Sequence, residues 1–231
     1  MTPLVLLPGM MCDARLVAPQ INALSGGRAV HLAPITGQDN IASIASEVLT
    51  NAPATFALAG LSMGGIVAME IMRQAPERVE RLCLMDTNPK AEHPDVAATR
   101  DPQIAKVQRG DLIPVMRDEM KPNYLTDGPR RAAILDLCMD MAGALGPDVF
   151  VRQSRALQTR PDQQETLRAA TVATLILCGR DDALCPVHRH VLMHELMPHA
   201  TLHIVENAGH LPTLEQPDET TAAMVRWLEA P

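Results

Sequence analysis

The chain has 231 residues, enough for one domain with a complete core, and 47% of them are hydrophobic while 20% are charged. This composition is typical of a globular protein and excludes a disordered chain. The formal charge of -7 argues against nucleic acid or an anionic membrane as a partner, because a phosphate backbone is bound by a concentrated basic face.

The N-terminal segment MTPLVLLPG has no basic stretch ahead of its short apolar run, which proline and glycine end after about five residues. We therefore predict a strand here rather than a signal peptide, and no apolar segment reaches the length of a membrane span. The five cysteines are irregularly spaced and contain no CxxC pair, which is typical of unpaired thiols in a reducing compartment. These features predict a cytoplasmic protein without membrane insertion.

Short apolar runs alternate with helical patterns along the chain, and each run stops at glycine, proline or a small polar residue. The predicted strands are Pro3–Leu7, Ala29–Ala33, Thr55–Ala59, Arg81–Met85, Thr174–Cys178 and Thr201–Val205. The predicted helices between them are Ala14–Leu24, Ile41–Thr50, Met63–Gln74, Val187–Leu196 and Glu219–Leu228. Nearly continuous apolar strands that alternate with helices indicate a parallel sheet covered on both faces, so the predicted fold class is α/β.

The segment between Asp86 and Thr171 breaks this alternation, because its roughly 85 residues contain no convincing strand. Its helical patterns cover Val96–Gln108, Leu112–Met120, Arg130–Ala144 and Val149–Leu157. A parallel crossover needs only about a dozen residues, so the excess is expected to form a helical cap over one end of the sheet. We predict a single domain over residues 1–231, with a core of about 1–90 and 172–231 and a cap of about 91–171.

The stretch AGLSMGGIVAME, residues 59 to 70, places a serine between glycines where a predicted strand gives way to a predicted helix. Gly60, Ser62 and Gly64 form G-x-S-x-G, in which a tight turn requires tiny flanking residues and lifts the serine hydroxyl out of the sheet. The Met63 amide then lies at a helix N-terminus, where it can donate a hydrogen bond to an oxyanion formed when Ser62 attacks a carbonyl. A turn needed only for strand-helix packing is the alternative.

A serine hydroxyl is a poor nucleophile unless a base removes its proton, and a carboxylate must orient and stabilise that base. His210, in IVENAGHLPTLEQP, lies in a loop after the last predicted strand, from which it can reach over the carboxyl end of the sheet. His93, near the start of the insertion, is the nearest rival, and a capping or packing role is the alternative for His210. The remaining histidines lie within predicted strands or on or beside one helix: His31, His203, His188, His190, His194 and His199.

The candidate acids follow two neighbouring predicted strands. The turn LCGRDDALCP places Asp181 and Asp182 at the carboxyl end of the fifth strand, within reach of an imidazole on the adjacent strand. A turn aspartate that bonds only its own backbone is the alternative. Asp86, which ends the fourth strand in LCLMD, is another candidate for the acid.

The segments GLSMGG, GRDDALCP and ENAGHLP resemble the nucleophile elbow, acid turn and histidine loop of the α/β-hydrolase superfamily, in the same chain order. The likeness runs from the first predicted strand to the last helix. It implies about six mostly parallel strands ordered 2-1-3-4-5-6, with helices on both faces, an inserted helical cap and a ligand crevice where the strand order reverses. It also implies that the acid is the fourth residue of G-x-x-D, which makes the expected catalytic set Ser62, Asp182 and His210.

The same resemblance implies a second oxyanion donor in the loop after the first strand, where members of the family usually have His-Gly. In LLPGMMCD, Pro8 replaces that histidine and Met10 occupies the donor position, although a backbone donor requires no particular side chain. The expected oxyanion hole is therefore formed by the backbone N–H groups of Met10 and Met63. Whether Met10 or Met11 points inward is open, and Met11 and Tyr124, from the cap segment KPNYL, are candidate substrate contacts.

A histidine-rich pattern, HxHxxxH at His188, His190 and His194, raises the question of a metal site. On a helix the first pair points to nearly opposite faces, and no carboxylate pattern completes a shell, so we predict no metal. Proton transfer and addition to a carbonyl require no cofactor.

These features predict a serine hydrolase of the carboxylesterase kind, which cleaves a small-molecule ester or thioester through an acyl-enzyme. The same serine triad also serves C–C bond hydrolases, perhydrolases and acyltransferases in this superfamily, and some proteins of this fold are slow or non-catalytic small-molecule receptors. The sequence leaves these alternatives, the substrate and the oligomeric state open.

Overall fold

A computed structural model describes residues 1–230 and contains a six-stranded sheet in the order β2-β1-β3-β4-β5-β6. Every neighbouring pair of strands is parallel. The strands are β1 (Leu4–Leu7), β2 (Val30–Leu32), β3 (Phe56–Leu61), β4 (Val79–Met85), β5 (Ala173–Gly179) and β6 (Thr201–Val205). The predicted α/β fold class is confirmed, and so is the strand order that the family resemblance implied.

Eleven α-helices are found among the described residues: α1 (Ala18–Leu24), α2 (Ile41–Asn51), α3 (Met63–Gln74), α4 (Pro94–Gln108), α5 (Leu112–Pro114), α6 (Arg131–Leu145), α7 (Pro147–Gln158), α8 (Gln164–Ala169), α9 (Val187–Leu196), α10 (Pro212–Glu215) and α11 (Pro217–Glu229). The sequence patterns missed α8 and α10, which are too short to show helical periodicity. None of the helices in this part of the chain is long and apolar enough to cross a membrane.

The two faces of the sheet bury different side chains, because successive residues of a strand point to opposite sides. Val5 and Leu7 belong to one apolar cluster, which extends over α2, α3 and part of α7. Leu4 and Leu6 belong to the other, which includes residues of α11 and α6. The central strands β1 and β3 are buried along their whole length, whereas the edge strand β2 is only half-buried.

Helices α4 to α8 lie between β4 and β5 and form a helical insertion at residues 94–169. The predicted helical pieces all occur, but the piece at residues 112–120 divides into α5 and a π-helical turn, Val115–Met120. A 3₁₀ turn at Lys121–Asn123 then leads to Tyr124, whose carbonyl oxygen accepts a hydrogen bond from His210 N–H at 2.7 Å. The insertion therefore contacts the His210 loop directly. That it acts as a cap unit with the predicted boundaries stays a prediction.

Candidate active site

Ser62 lies in the junction between β3 and α3, at φ 56° and ψ -115°. This left-handed backbone is uncommon for a residue with a side chain, and it is maintained by packing rather than by local preference. A β-carbon on Gly60 would overlap the Gly64 carbonyl, and one on Gly64 would overlap the Leu7 carbonyl. The Ser62 N–H donates to the Met85 carbonyl oxygen at 2.9 Å. The two glycines are therefore required by close backbone approach.

Three side chains from separate loops meet beside this turn. His210 Nε2 lies 2.9 Å from Ser62 Oγ, and His210 Nδ1 lies 2.8 Å from Asp182 Oδ2. His210 and Asp182 are almost fully buried, whereas Ser62 is half-buried and faces a cavity. The structure thus brings together Ser62, His210 and Asp182, the three side chains that the sequence singled out.

Asp182 is held as a carboxylate by its surroundings. Its Oδ1 accepts hydrogen bonds from the N–H groups of Leu184 and Cys185 at 2.8 and 2.9 Å. Burial alone would raise the pKa of Asp182, but the charge and hydrogen bond of His210 and the Cys185 N–H bond lower it to about 2. The neighbouring candidate, Asp181, is exposed and does not contact the imidazole.

Asp86 occupies the end of β4 with φ 43°, and its side chain is fully buried next to Asp182. Its Oδ1 accepts the Gly179 N–H at 2.9 Å, while its Oδ2 is buried and has no hydrogen-bond partner among the described residues. Burial, followed by repulsion from Asp182, raises the pKa of Asp86 well above its usual value. The raised pKa favours the protonated, neutral form of Asp86, and the His210 ring contacts Asp182 rather than Asp86.

The loop after β1 presents Met10 to the cavity and turns Met11 away from it. Met10 and Met63 both line the cavity, and neither backbone N–H donates a hydrogen bond to another described residue. Met11, at φ 55°, is fully buried, and its N–H donates to Gln153 Oε1 at 2.8 Å. The structure therefore does not bring Met11 to the candidate site. Tyr124 does line the cavity, and its ring packs edge-on against the His210 imidazole at 5.2 Å.

Three supporting side chains were not found from the sequence. Gln153 of α7 also donates to the Ile35 carbonyl oxygen at 3.1 Å, so it ties the β1 loop to the helical insertion. Glu215 accepts hydrogen bonds through Oε2 from the N–H groups of Gly209 and Leu211, on either side of His210, at 2.9 and 3.1 Å. Thr87 Oγ1 donates to the Ser62 carbonyl oxygen at 2.8 Å. Gln153 and Thr87 act on partners far along the chain, and the bonds of Glu215 to the neighbouring loop follow no familiar motif, so sequence patterns do not reveal these roles.

The histidines of the HxHxxxH pattern do not converge on a point in the part of the chain described here. His190 is buried, and its Nε2 accepts the Thr87 N–H at 3.1 Å. Burial lowers the pKa of His190 to about 4, so the ring is neutral at neutral pH. The one group of three potential metal ligands among these residues is Asp182, Cys185 and His210, two of which already hydrogen-bond to each other.

The Ser62 hydroxyl opens into a cavity of about 540 Å³, within the range that holds a small molecule. The cavity is bounded by the carboxyl end of the sheet, by α4 and by the turn that carries Tyr124. Its position next to β1 and β3, where the strand order reverses, is the usual ligand-binding position of an open parallel sheet. His93, the rival base, also lines this cavity but caps α4 and is largely exposed.

Known proteins resemble this chain over nearly its whole length. A pimeloyl-[acyl-carrier protein] methyl ester esterase of Aliivibrio salmonicida is 24% identical, over 98% of this chain and 92% of the relative. The malate-bound structure of a thermophilic esterase from Thermogutta terrifontis is similar with a TM-score of 0.91 and 25% identity, over 99% of this chain and 89% of the other. An enol-lactonase from Burkholderia xenovorans has a TM-score of 0.87 and 21% identity, over 99% and 92% of the two chains, and shows the fold alone.

A family model gives the assignment. The model described as the alpha/beta hydrolase family matches residues 4–223, from the first residue of β1 into α11. This match covers the Ser62 junction, the Asp182 turn and the His210 loop, together with the helical insertion between them. The chain belongs to the alpha/beta hydrolase family.

Proposed function

We propose that the protein hydrolyses carboxylic esters or thioesters of small molecules, with Ser62 as nucleophile, His210 as base and Asp182 as the carboxylate that orients and stabilises the histidine. The observation that carries this proposal is the continuous line of hydrogen bonds from Ser62 Oγ through both ring nitrogens of His210 to Asp182. The line ends at a cavity large enough for a small substrate. Relatives named as esterases support an ester as the substrate class.

The reaction begins when Ser62 Oγ attacks the substrate carbonyl carbon while His210 Nε2 accepts the hydroxyl proton. Asp182, which is ionised, stabilises the imidazolium that forms. The carbonyl oxygen becomes an oxyanion, and the N–H groups of Met63 and Met10 are free to donate to it. Such a donor contributes about 3 kcal/mol to the transition state in serine hydrolases.

The acyl-enzyme forms when His210 returns its proton to the leaving alcohol or thiol and the carbonyl bond to that group breaks. Water then repeats the sequence, with His210 as base again, and releases the acid and free Ser62. All of these steps are proton transfers and additions to a carbonyl, which the residues named here can perform. We further propose a cytoplasmic location, which the five unpaired cysteines support.

The experiment combines a fluorophosphonate probe with short-chain nitrophenyl esters. We expect one probe molecule to attach per chain, at Ser62, and ester turnover that is lost in Ser62→Ala and in His210→Ala. Ser25→Ala, which changes an exposed serine after α1, is the matched control and should keep both labelling and turnover. Labelling without turnover would indicate a receptor of this fold, and labelling at another residue would refute the proposal.

A further inference from the structure

Three charged side chains are buried together in the wall of the cavity that Ser62 faces. Glu92 precedes α4, Arg100 lies on α4 and Arg160 follows α7, and their side chains are only 6%, 11% and 9% exposed. Arg160 Nη2 lies 3.0 Å from Glu92 Oε1, and Arg100 Nε lies 2.7 Å from Glu92 Oε2. All three residues line the cavity.

The charges of this buried cluster do not balance, because one carboxylate is shared by two guanidinium groups. Arg160 Nε is fully buried and has no hydrogen-bond partner among the described residues. Burial lowers the pKa of Arg160, and although Glu92 opposes this shift, the positive charges of Arg100 and Arg189 add to it. A buried donor without a partner and a buried charge without a counterion both cost free energy.

The wider cavity wall has the same excess of positive charge. Lys90 and Arg189 also line it, whereas Glu119, the other carboxylate there, is paired with Lys106 at 2.7 Å. The other titratable groups that line the cavity are His93, His188, His210, Tyr124 and Cys185. The excess is opposite in sign to the formal charge of -7 of the whole chain. In a protein that is acidic as a whole, a positively charged cavity attracts an anionic ligand more strongly than the rest of the protein surface does.

We propose that Arg160 and Arg100 bind a carboxylate group of the substrate, so that the protein acts on half-esters of dicarboxylic acids. This inference rests on the proposed function and assigns a substrate class to the same cavity. One carboxylate in the cavity would neutralise the single positive charge that Glu92 leaves over. Guanidinium groups match carboxylates in geometry, and such charged hydrogen bonds are stronger than neutral ones.

The main competing explanation is structural. Glu92 could serve only to join the start of α4 to the segment after α7, since Arg100 and Arg160 extend from these two elements. In that case the arginines would stabilise the insertion without recognising the substrate. The two explanations differ in one measurable quantity, the preference for an acid over its neutral amide.

The experiment uses monomethyl esters of dicarboxylic acids, from succinate to suberate, each paired with the methyl ester of the corresponding half-amide. The members of each pair have nearly the same shape and differ in charge. For at least one chain length, we expect kcat/KM of the acid to exceed that of its amide by about 10-fold or more, measured by methanol release. An acid-to-amide ratio near one for every chain length in the wild-type protein, with both esters hydrolysed, would overturn this inference and leave the proposed function intact.

Variants then test the assignment to Arg160. In Arg160→Gln the acid-to-amide ratio should fall to near one, whereas a structural role would lower both kcat/KM values and preserve their ratio. Arg155→Gln is the matched control, because Arg155 is an exposed arginine near the end of α7 that pairs with Asp101 outside the cavity. If Arg160→Gln does not fold, Arg160→Lys, which keeps the charge without the planar fork, should lower the ratio to an intermediate value, and an unchanged ratio would refute the assignment.

A binding measurement makes the inference independent of catalysis. The Ser62→Ala variant should have a melting temperature a few degrees higher with a millimolar monoamide of a dicarboxylic acid, which keeps one free carboxylate, than with the neutral diamide. Adding Arg160→Gln to this variant should remove that difference. If no ester is hydrolysed and Ser62 is not labelled, the proposed function fails while this melting comparison still decides the anion site. Equal melting temperatures with acid and diamide would refute it.

Discussion

Ser62 and His210, between which the proposed reaction moves a proton, are held in place in different ways. Ser62 is held by backbone packing, because backbone groups approach Gly60 and Gly64 too closely for either to carry a side chain. His210 is held by hydrogen bonds around its loop, since Glu215 of the adjoining helix α10 accepts the N–H groups on both sides of it and the distant Tyr124 carbonyl accepts its own N–H. A short motif therefore encodes the serine turn, whereas the histidine loop depends on contacts that form only in the folded chain.

The largest expected effect comes from Asp182, which hydrogen-bonds to His210 through the ring nitrogen that does not face Ser62. Asp182→Asn should lower kcat by about three to four orders of magnitude, because a neutral amide neither stabilises the imidazolium nor fixes its tautomer. Asp86→Asn is the matched control, since the raised pKa of Asp86 favours its neutral form, which an amide resembles, and since the His210 ring bonds to Asp182. Steady-state kinetics on one ester measures both variants. A larger loss in Asp86→Asn than in Asp182→Asn would assign the acid to Asp86.

The serine turn should break when either glycine gains a side chain. Gly64→Ala should lower the free energy of unfolding by about 3 kcal/mol or prevent folding, because the new carbon would overlap the Leu7 carbonyl. Gly26→Ala is the control, because nothing lies within 4 Å of its added carbon, and it should change stability by less than about 0.5 kcal/mol. Chemical denaturation measures both. Equal effects would show that the turn does not depend on this close approach.

The histidine loop should weaken when its side-chain anchor is altered. Glu215→Gln keeps the size of the side chain but turns one of its two acceptor positions into a donor. If that position is Oε2, the N–H groups of Gly209 and Leu211 both lose their acceptor, and if it is Oε1, the N–H of Thr126 does. We expect kcat to fall by about 10- to 100-fold, with a smaller change in KM, because the imidazole loses its alignment with Ser62. Fluorophosphonate labelling should slow by a similar factor. An unchanged labelling rate would show that Glu215 has no positioning role.

Low pH should destabilise the fold through protonation of Asp182. Its pKa in the folded protein, about 2, lies below the ordinary value of 3.8, so it contributes stability above the unfolded-state value. This contribution to the free energy of unfolding, about 2 kcal/mol, is lost as the pH falls from 3.8 to about 2. Denaturation of wild type and Asp182→Asn between neutral pH and pH 2 should show their stabilities converging. Parallel curves would contradict this linkage.

The smallest effect is expected at Asp86. Its folded-state pKa is raised, so it stabilises the fold only at low pH, and this contribution is lost as the pH rises above the usual value of 3.8. Asp86→Asn should therefore raise the melting temperature at neutral pH by a few degrees and have little effect in acid. Thermal melts at the two pH values test this. A lower melting temperature at neutral pH would mean that Asp86 is ionised in the folded protein.

The features that sequence alone predicted are those written in consecutive residues. The ends of all six strands fall within two residues of the predicted positions, because uninterrupted apolar runs and their terminating residues are local signals. The glycines around Ser62 are equally local. Sequence alone does not decide which of Met10 and Met11 faces the cavity. Met11 has a positive φ, and its N–H donates to Gln153 of the distant helix α7, and neither feature can be read from consecutive residues. The role of Gln153 depends on partners far along the chain, whereas Glu215 combines the nearby N–H groups of Gly209 and Leu211 with the distant Thr126, so neither role leaves a recognisable pattern in consecutive residues.

The turn from Tyr124 to Thr126 is bonded both to His210 and to Glu215, so a displacement of this turn would also affect the alignment of His210. The Tyr124 carbonyl accepts the His210 N–H, and the N–H and hydroxyl of Thr126 both donate to Glu215. Lifting this turn away from the sheet would break all of these bonds at once and release the imidazole from its alignment. A bulky substrate that entered by displacing this turn would therefore find His210 out of alignment with Ser62. The reaction could start only after the turn had returned to its position.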